Sequence, residues 1–209
     1  MANATSALHD HLSSGRFGRP GPAGVVLSEI RRFALTQIAA WPETVAAAGA
    51  DVARAAGCHA APGPGQMAAG PKATLLRVEP LKWWLIEQTA SEVQLRLPIQ
   101  AGAVLDLSDS RTWIHLDGSA AGSLLSHFLP LDLREAAFPC GAVASSAFHH
   151  VGVTLWRVGS GFNLLLPRSF AASLWELLIA SAEQYGLEVT QGKLFAAMED
   201  RNETEYVPG

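Results

Sequence analysis

Apolar and polar residues alternate in short runs at 25–30, 33–40, 74–79, 83–88, 104–108, 112–117, 142–148, 151–158 and 162–166, and this period of two predicts strands. Between the runs the period lengthens to that of a helix. Val45, Ala48, Val52 and Ala56 share one face; Ala121, Leu124, Leu125 and Phe128 share another; Phe170, Leu174, Leu177 and Leu178 share a third. Pro42 is placed to open the first helix and Gly57 to stop it. The second is expected over 119–128 behind a Ser or Asp cap, ended by Pro130. The third is expected over about 168–184, closed by Gly186. The type of 91–97, closed by Pro98, is left open by the pattern. Two strands followed by a helix, repeated along the chain, predict an α+β fold of ferredoxin-like split β-α-β units: mainly antiparallel sheets with helices on one face.

Boundaries follow from the composition of the connections. Residues 1–24 read as an N-terminal arm and Gly/Pro loop, and 25–59 as a first strand-strand-helix unit. Residues 60–72 hold three prolines and three glycines, so 60–73 reads as a flexible linker and the main internal boundary. The region 74–196 is then the main α+β body, and 197–209 an acidic C-terminal tail.

Composition narrows the function classes. With 49% hydrophobic residues in 209, the chain can bury a sizeable core. A net charge of −4 and scattered Lys and Arg offer no basic stripe, which argues against nucleic acid and against a charged membrane surface. Two cysteines, Cys58 and Cys140, build neither a disulfide framework nor a zinc ribbon. Without a basic segment leading into an apolar core at the start, or any apolar run near ~18 residues, a cytoplasmic protein is expected.

Candidate chemistry is sparse. Gly63-Pro-Gly65 precedes no strand-turn-helix, and Gly159-Ser-Gly161 lies between two strands, so both read as turns and not as nucleotide loops. His149 and His150 are adjacent and cannot readily chelate one ion; they read as turn or interface residues. His115 and His127 read as buried or half-buried packing. Nothing beside Cys140 would depress its pKa, so it reads as a small buried filler. Asp106 with Asp109, and Asp132 with Glu135, are turn and cap residues. Arg111, Arg134 and Arg168 stand at turns or helix starts, where a guanidinium serves as a cap or binds a partner. The aromatic residues are the unusual feature. Trp83 and Trp84 must face opposite sides of one strand, so one enters the core and the other needs a helix, a second domain or another chain to cover it. Trp83, Trp84, Arg111, Phe138 and Arg168 are the candidate subunit-interface residues.

The ordered segments Asp106-Leu-Ser108, Pro130-Leu-Asp-Leu133, Phe138-Pro139 and Pro167-Arg-Ser-Phe170, with Gly15-Arg16-Phe-Gly18 ahead of Gly24-Val-Val-Leu-Ser-Glu29, carry a resemblance over nearly the whole ordered chain. Together they resemble the gamma subunit of bacterial heterotetrameric sarcosine oxidase. The resemblance implies a fold related to the folate-binding domain of glycine-cleavage aminomethyltransferases. It also implies a non-catalytic accessory subunit of an αβγδ flavoenzyme that oxidatively demethylates sarcosine to glycine with O2. The products are hydrogen peroxide and formaldehyde, or methylenetetrahydrofolate when tetrahydrofolate is present. It places FAD and covalent FMN with the beta subunit and its interface with alpha, NAD and folate with alpha, and zinc with delta. No catalytic, cofactor-binding or metal-binding residue carries over to this chain. The related aminomethyltransferase strand ends in Asp-x-Ser-His, whereas Asp109 stands here where that His would be. Two alternatives stay open: a free-standing folate-binding or aminomethyltransferase-like protein, and the gamma subunit of another secondary-amine-oxidising complex.

Overall fold

The alternating runs pair into two sheets in a computed structural model that describes residues 5–88, 95–191 and 193–194. In chain order the first elements are β1 (Gly15–Phe17), β2 (Val25–Arg31), β3 (Phe33–Ala40), α1 (Val45–Ala56), β4 (Met67–Ala69), β5 (Thr74–Glu79) and β6 (Lys82–Gln88). They are followed by β7 (Gly102–Asp106), β8 (Arg111–Asp117), α2 (Ala121–Leu125), β9 (Val143–Phe148), β10 (Val151–Val158), β11 (Gly161–Pro167), α3 (Ala171–Ala182), β12 (Leu187–Val189) and β13 (Lys193–Leu194). The fold is α+β, with mainly antiparallel sheets, as expected. Among the described residues no helix is long and apolar enough to cross a membrane.

The chain divides into two units. The first takes the chain up to Arg31, then Asp109–Cys140, and then what is described from Ser146 onward; the second takes Arg32–Ser108 and Gly141–Ser145. In the first unit the sheet order is β1-β12-β2-β8-β11-β10-β9, with β13 also on β2. β12 and β13 run parallel to β2, while β2-β8, β8-β11 and β10-β11 are antiparallel. β8 and β11 are buried at consecutive positions, on both faces, so β11 is largely apolar and the polar Thr112, His115 and Asn163 are buried with it. α3 contributes Ala171, Leu174, Trp175, Leu178 and Ala182 to the core. Phe170 and Leu177, expected inward, are exposed. Phe170 belongs to the 3-10 turn before the helix, and Leu177 falls off the 171/174/175/178/182 face.

In the second unit the order is β4-β5-β6-β3-β7, antiparallel throughout. Ile38, Leu75, Trp83 and Leu85 project from one sheet face onto Ala48, Val52 and Ala56 of α1. Ala is frequent on that helix face because a Trp ring needs the room. Gly57 ends α1 at φ 77°, a left-handed conformation, and its N–H returns to the helix carbonyls.

The structure departs from the sequence pattern in several further places. The first strand pair does not form a local unit: β2 joins one sheet and β3 the other, with Arg32 between them at φ 58°. Residues 60–73 lie inside the second unit and carry β4, paired to β5, so the Pro/Gly composition marks turns around a strand. The fold also begins earlier than the pattern suggests. Leu8 is fully buried, Ser6 Oγ–H donates to Glu29, the Trp175 indole donates to His11 O at 3.1 Å, and β1 pairs with β12. α2 is also shorter than expected, and Ala120 at its N-cap supplies no side-chain cap. Part of the ambiguous 91–97 segment, and the 197–209 tail, lie outside the described residues.

Candidate functional site

The first unit holds a cavity of about 710 Å³ bounded by α2, the 131–135 loop and the turn joining β10 to β11. That turn is a two-residue hairpin, Gly159-Ser160, with Gly159 at φ 55°. Arg157, on β10 opposite Phe162 in the register, enters the cavity wall with 8% exposure. Its guanidinium stands 4.4 Å from the Phe162 ring centre and donates one Nη2–H to Leu133 O. Its Nε is buried and has no hydrogen-bond partner among the described residues. Nor does Arg157 form an ion pair with a described carboxylate. A guanidinium withdrawn from water without a counter-charge is costly, and Arg157 meets none among the described carboxylates.

The cavity's rim is charged in both senses. Arg134 Nε donates to Asp132 Oδ1 at 2.8 Å, and these bonds hold the exposed Asp132 carboxyl at a pKa of about 2. Glu135 also lines the cavity, as do Ser119 and Ser123. Asp132 thus serves a turn, as its sequence position suggested, and leaves Arg157 alone.

A second buried polar group lies in the same unit. Asn163, on β11, accepts from the Trp113 indole at 2.9 Å, and the same Oδ1 lies 3.0 Å from His115 Nδ1. An indole N–H only donates, so the amide oxygen must face it; His115 Nδ1, meeting that oxygen, must then carry the proton. His115 is therefore a packing residue with a defined tautomer. His127, by contrast, is exposed, with Nε2 hydrogen-bonded to the Tyr185 hydroxyl at 3.0 Å. It sits just past the end of α2, where the helical spacing no longer turns it inward.

In the second unit a cavity of about 580 Å³ lies along α1. Arg77 stacks 4.8 Å above Trp83 and donates to Pro62 O at 3.3 Å and Pro80 O at 2.5 Å. Its guanidinium is held by backbone carbonyls on two sides.

Of the five expected interface residues, Trp83 and Trp84 belong to the second unit and Arg111, Phe138 and Arg168 to the first. Trp83 is in the second unit's core, and Trp84 is also covered within the chain, with its indole donating to Gln37 Oε1 at 3.2 Å. Phe138 is buried and stacks on Phe162. Arg111 is partly buried, which lowers its pKa, and Nη1 donates to Ser110 O at 3.2 Å. Arg168 donates to Thr5 O. Cys140, expected buried, is exposed: it occupies a turn ahead of β9, beside Gly141 at φ 83°. Cys58 is half-buried, and burial pushes its thiol pKa up.

Sequence reasoning missed a different surface. β7 is the edge of the second unit's sheet, and Val104 and Leu105 on it are exposed, Leu105 by 54%. Beside it Ile99 is 78% and Trp41 48% exposed, with the Trp41 indole donating to Ile99 O at 2.9 Å. The signal was the consecutive Val104-Leu105 pair, which cannot place both side chains inside one sheet face. Among the described residues no cluster of three or more His, Cys, Asp or Glu is placed to hold a metal ion.

No family model matches the chain. It is 32% identical over 102 residues to sarcosine oxidase subunit gamma of Corynebacterium sp. (strain P-1), covering 48% of this chain and 50% of that one. It is 35% identical over 81 residues to sarcosine oxidase subunit gamma of Arthrobacter sp., covering 39% and 40%. The matches thus span half or less of the curated relatives' length. The fold is similar to that of a chain in the heterotetrameric sarcosine oxidase from Corynebacterium sp. U-96 in complex with pyrrole 2-carboxylate, at a TM-score of 0.68 and 24% identity over 79% of this chain and 87% of that one. It is also similar to glycine cleavage system aminomethyltransferase T from Bartonella henselae, at a TM-score of 0.53 and 16% identity over 81% and 48%. The resemblance read from the sequence thus has both sequence relatives and a shared fold behind it.

Proposed function

We propose that this chain is the gamma subunit of a heterotetrameric sarcosine oxidase and acts there as a non-catalytic accessory subunit. The observation that carries this reading is the identity to two named gamma subunits, on a chain whose fold matches one from such an assembly. The geometry is in keeping with it. Among the described residues the most exposed large apolar side chains, Ile99 and Leu105, lie along a sheet edge. An apolar strip on an edge strand suits docking to another chain, which would complete the sheet or cover Trp41 and Leu105. We assign the flavins, NAD, folate and zinc of the assembly to its alpha, beta and delta partners, and place the whole in the cytoplasm. Binding of this chain to the native assembly would stabilise it by mass action. The expected interface therefore moves from Trp83, Trp84 and Phe138 to the β7 edge, with Arg111 and Arg168 retained as polar candidates.

The test is sarcosine-dependent peroxide release, measured on the purified chain and on the assembly isolated with it. Activity in the assembly and none in the chain is expected; turnover by the isolated chain would overturn the reading.

A further inference from the structure

We propose that the cavity of the first unit, between α2, the 131–135 loop and the β10–β11 hairpin, is a carboxylate-binding site anchored by Arg157. The proposal stands on the cavity itself and does not depend on the assembly proposed above. Three observations lead to it. Arg157 is nine-tenths buried and lines the cavity, and its Nε, closed off from water as well, has no partner among the described residues. Its one hydrogen bond among the described residues uses Nη2, toward Leu133 O, and the Phe162 ring covers a face of the guanidinium without supplying a charge. The acids of the rim do not answer it: Asp132 is engaged by Arg134, and among the described ion pairs neither Asp132 nor Glu135 meets Arg157.

The donor set selects the class of ligand. A guanidinium offers parallel N–H groups in a planar fork, the geometry that a carboxylate accepts bidentately. The hydroxyls of Ser119 and Ser123 line the same cavity and add donors for a second oxygen or a polar tail. Phosphate is disfavoured because Asp132 and Glu135 stand on the rim, where a dianion meets more repulsion than a singly charged carboxylate. The carboxylate could belong to a free small acid or to an Asp or Glu of a docked chain. Both present the same group to Arg157.

The experiment follows the Arg157 side-chain Nε–H resonance of the full chain in a ¹⁵N–¹H spectrum during titration with sodium acetate, with sodium chloride and phosphate at matched ionic strength as controls. A saturable shift with acetate alone is expected, weakened at least about tenfold in R157K as read from the backbone amides of the β10–β11 hairpin, because a bidentate charge-assisted pair is lost. S123L, at an exposed helix position, should keep the fold and fill the cavity, removing the response. An acetate response equal to that of chloride, or one that persists in both R157K and S123L, would overturn the proposal. Repeating the acetate titration on the isolated assembly, read by hydrogen exchange of the hairpin, separates the two sources. Protection by acetate in the chain alone identifies a partner's carboxylate, and protection in both identifies a free acid.

Discussion

Replacing Asn163 with alanine tests the buried polar arrangement of the first unit. Asn163 is 1% exposed on β11, and its Oδ1 takes both the Trp113 indole at 2.9 Å and His115 Nδ1 at 3.0 Å. Alanine removes the shared acceptor and leaves two donors to lose a buried partner at once, each at a cost of about 1–3 kcal/mol. The lost side-chain volume adds a cavity term, since β8 and β11 are buried on both faces. The expected destabilisation is about 3 kcal/mol, or roughly a 6–12 °C fall in Tm for a chain of this length. Urea unfolding followed by tryptophan fluorescence measures it. The decisive version is a double-mutant cycle with W113F, which deletes the indole donor while keeping a ring. If the bond is what matters, N163A should cost about 1 kcal/mol less in the W113F background. A cost below about 1 kcal/mol for N163A, or strict additivity with W113F, would refute the argument.

Four further outcomes are expected. L105R, at the exposed β7 edge, should leave the melting temperature of the chain within about 2 °C of wild type and abolish co-purification of partner chains; retained co-purification would remove β7 from the interface. In R134Q the Asp132 carboxyl, now held at about 2, should titrate back in the usual carboxylate range, as read by ¹³C NMR; a midpoint that stays near 2 would contradict the Arg134 assignment. Because the folded carboxyl pKa is depressed, the pair's stabilisation is present above the unfolded carboxylate pKa and is lost as pH falls toward 2. G18A should destabilise by at least about 2 kcal/mol in urea, since Gly18 sits at φ 76° and a Cβ there would stand 2.1 Å from Glu183 O; a neutral substitution would mean that the loop is not held on that turn. Under iodoacetamide, Cys140 should alkylate well before Cys58, whose thiol is half-buried with a raised pKa; mass spectrometry showing the reverse order would contradict their placement.

The strands were legible because each carries its own period: β5 and β10 coincide with the runs at 74–79 and 151–158. Their partners were not. Nothing local tells Val25–Arg31 and Phe33–Ala40 to enter different sheets, because two adjacent alternating runs read as a hairpin until a residue such as Arg32 adopts a left-handed conformation between them. The linker reading of 60–73 failed for a related reason: Pro and Gly mark turns equally well on either side of a short strand such as β4. At the candidate site, Asp132 and Arg134 were each visible as turn residues, though not as a pair, whereas Arg157 was hidden inside a mainly apolar strand. Its burial depends on the loop carrying Leu133, some twenty residues away in sequence, and such contacts leave no periodic trace. Cys140 was misplaced because cysteine is so often buried that a turn position was outweighed.

The proposed function makes this chain one subunit among several. Affinity purification of the tagged chain from its native bacterium, with mass spectrometry of the eluate and its visible absorption spectrum, tests this most directly. The proposed function requires three further chains to co-elute, with the yellow absorbance of bound flavin. A colourless eluate containing this chain alone would contradict it and favour a free-standing folate-binding protein.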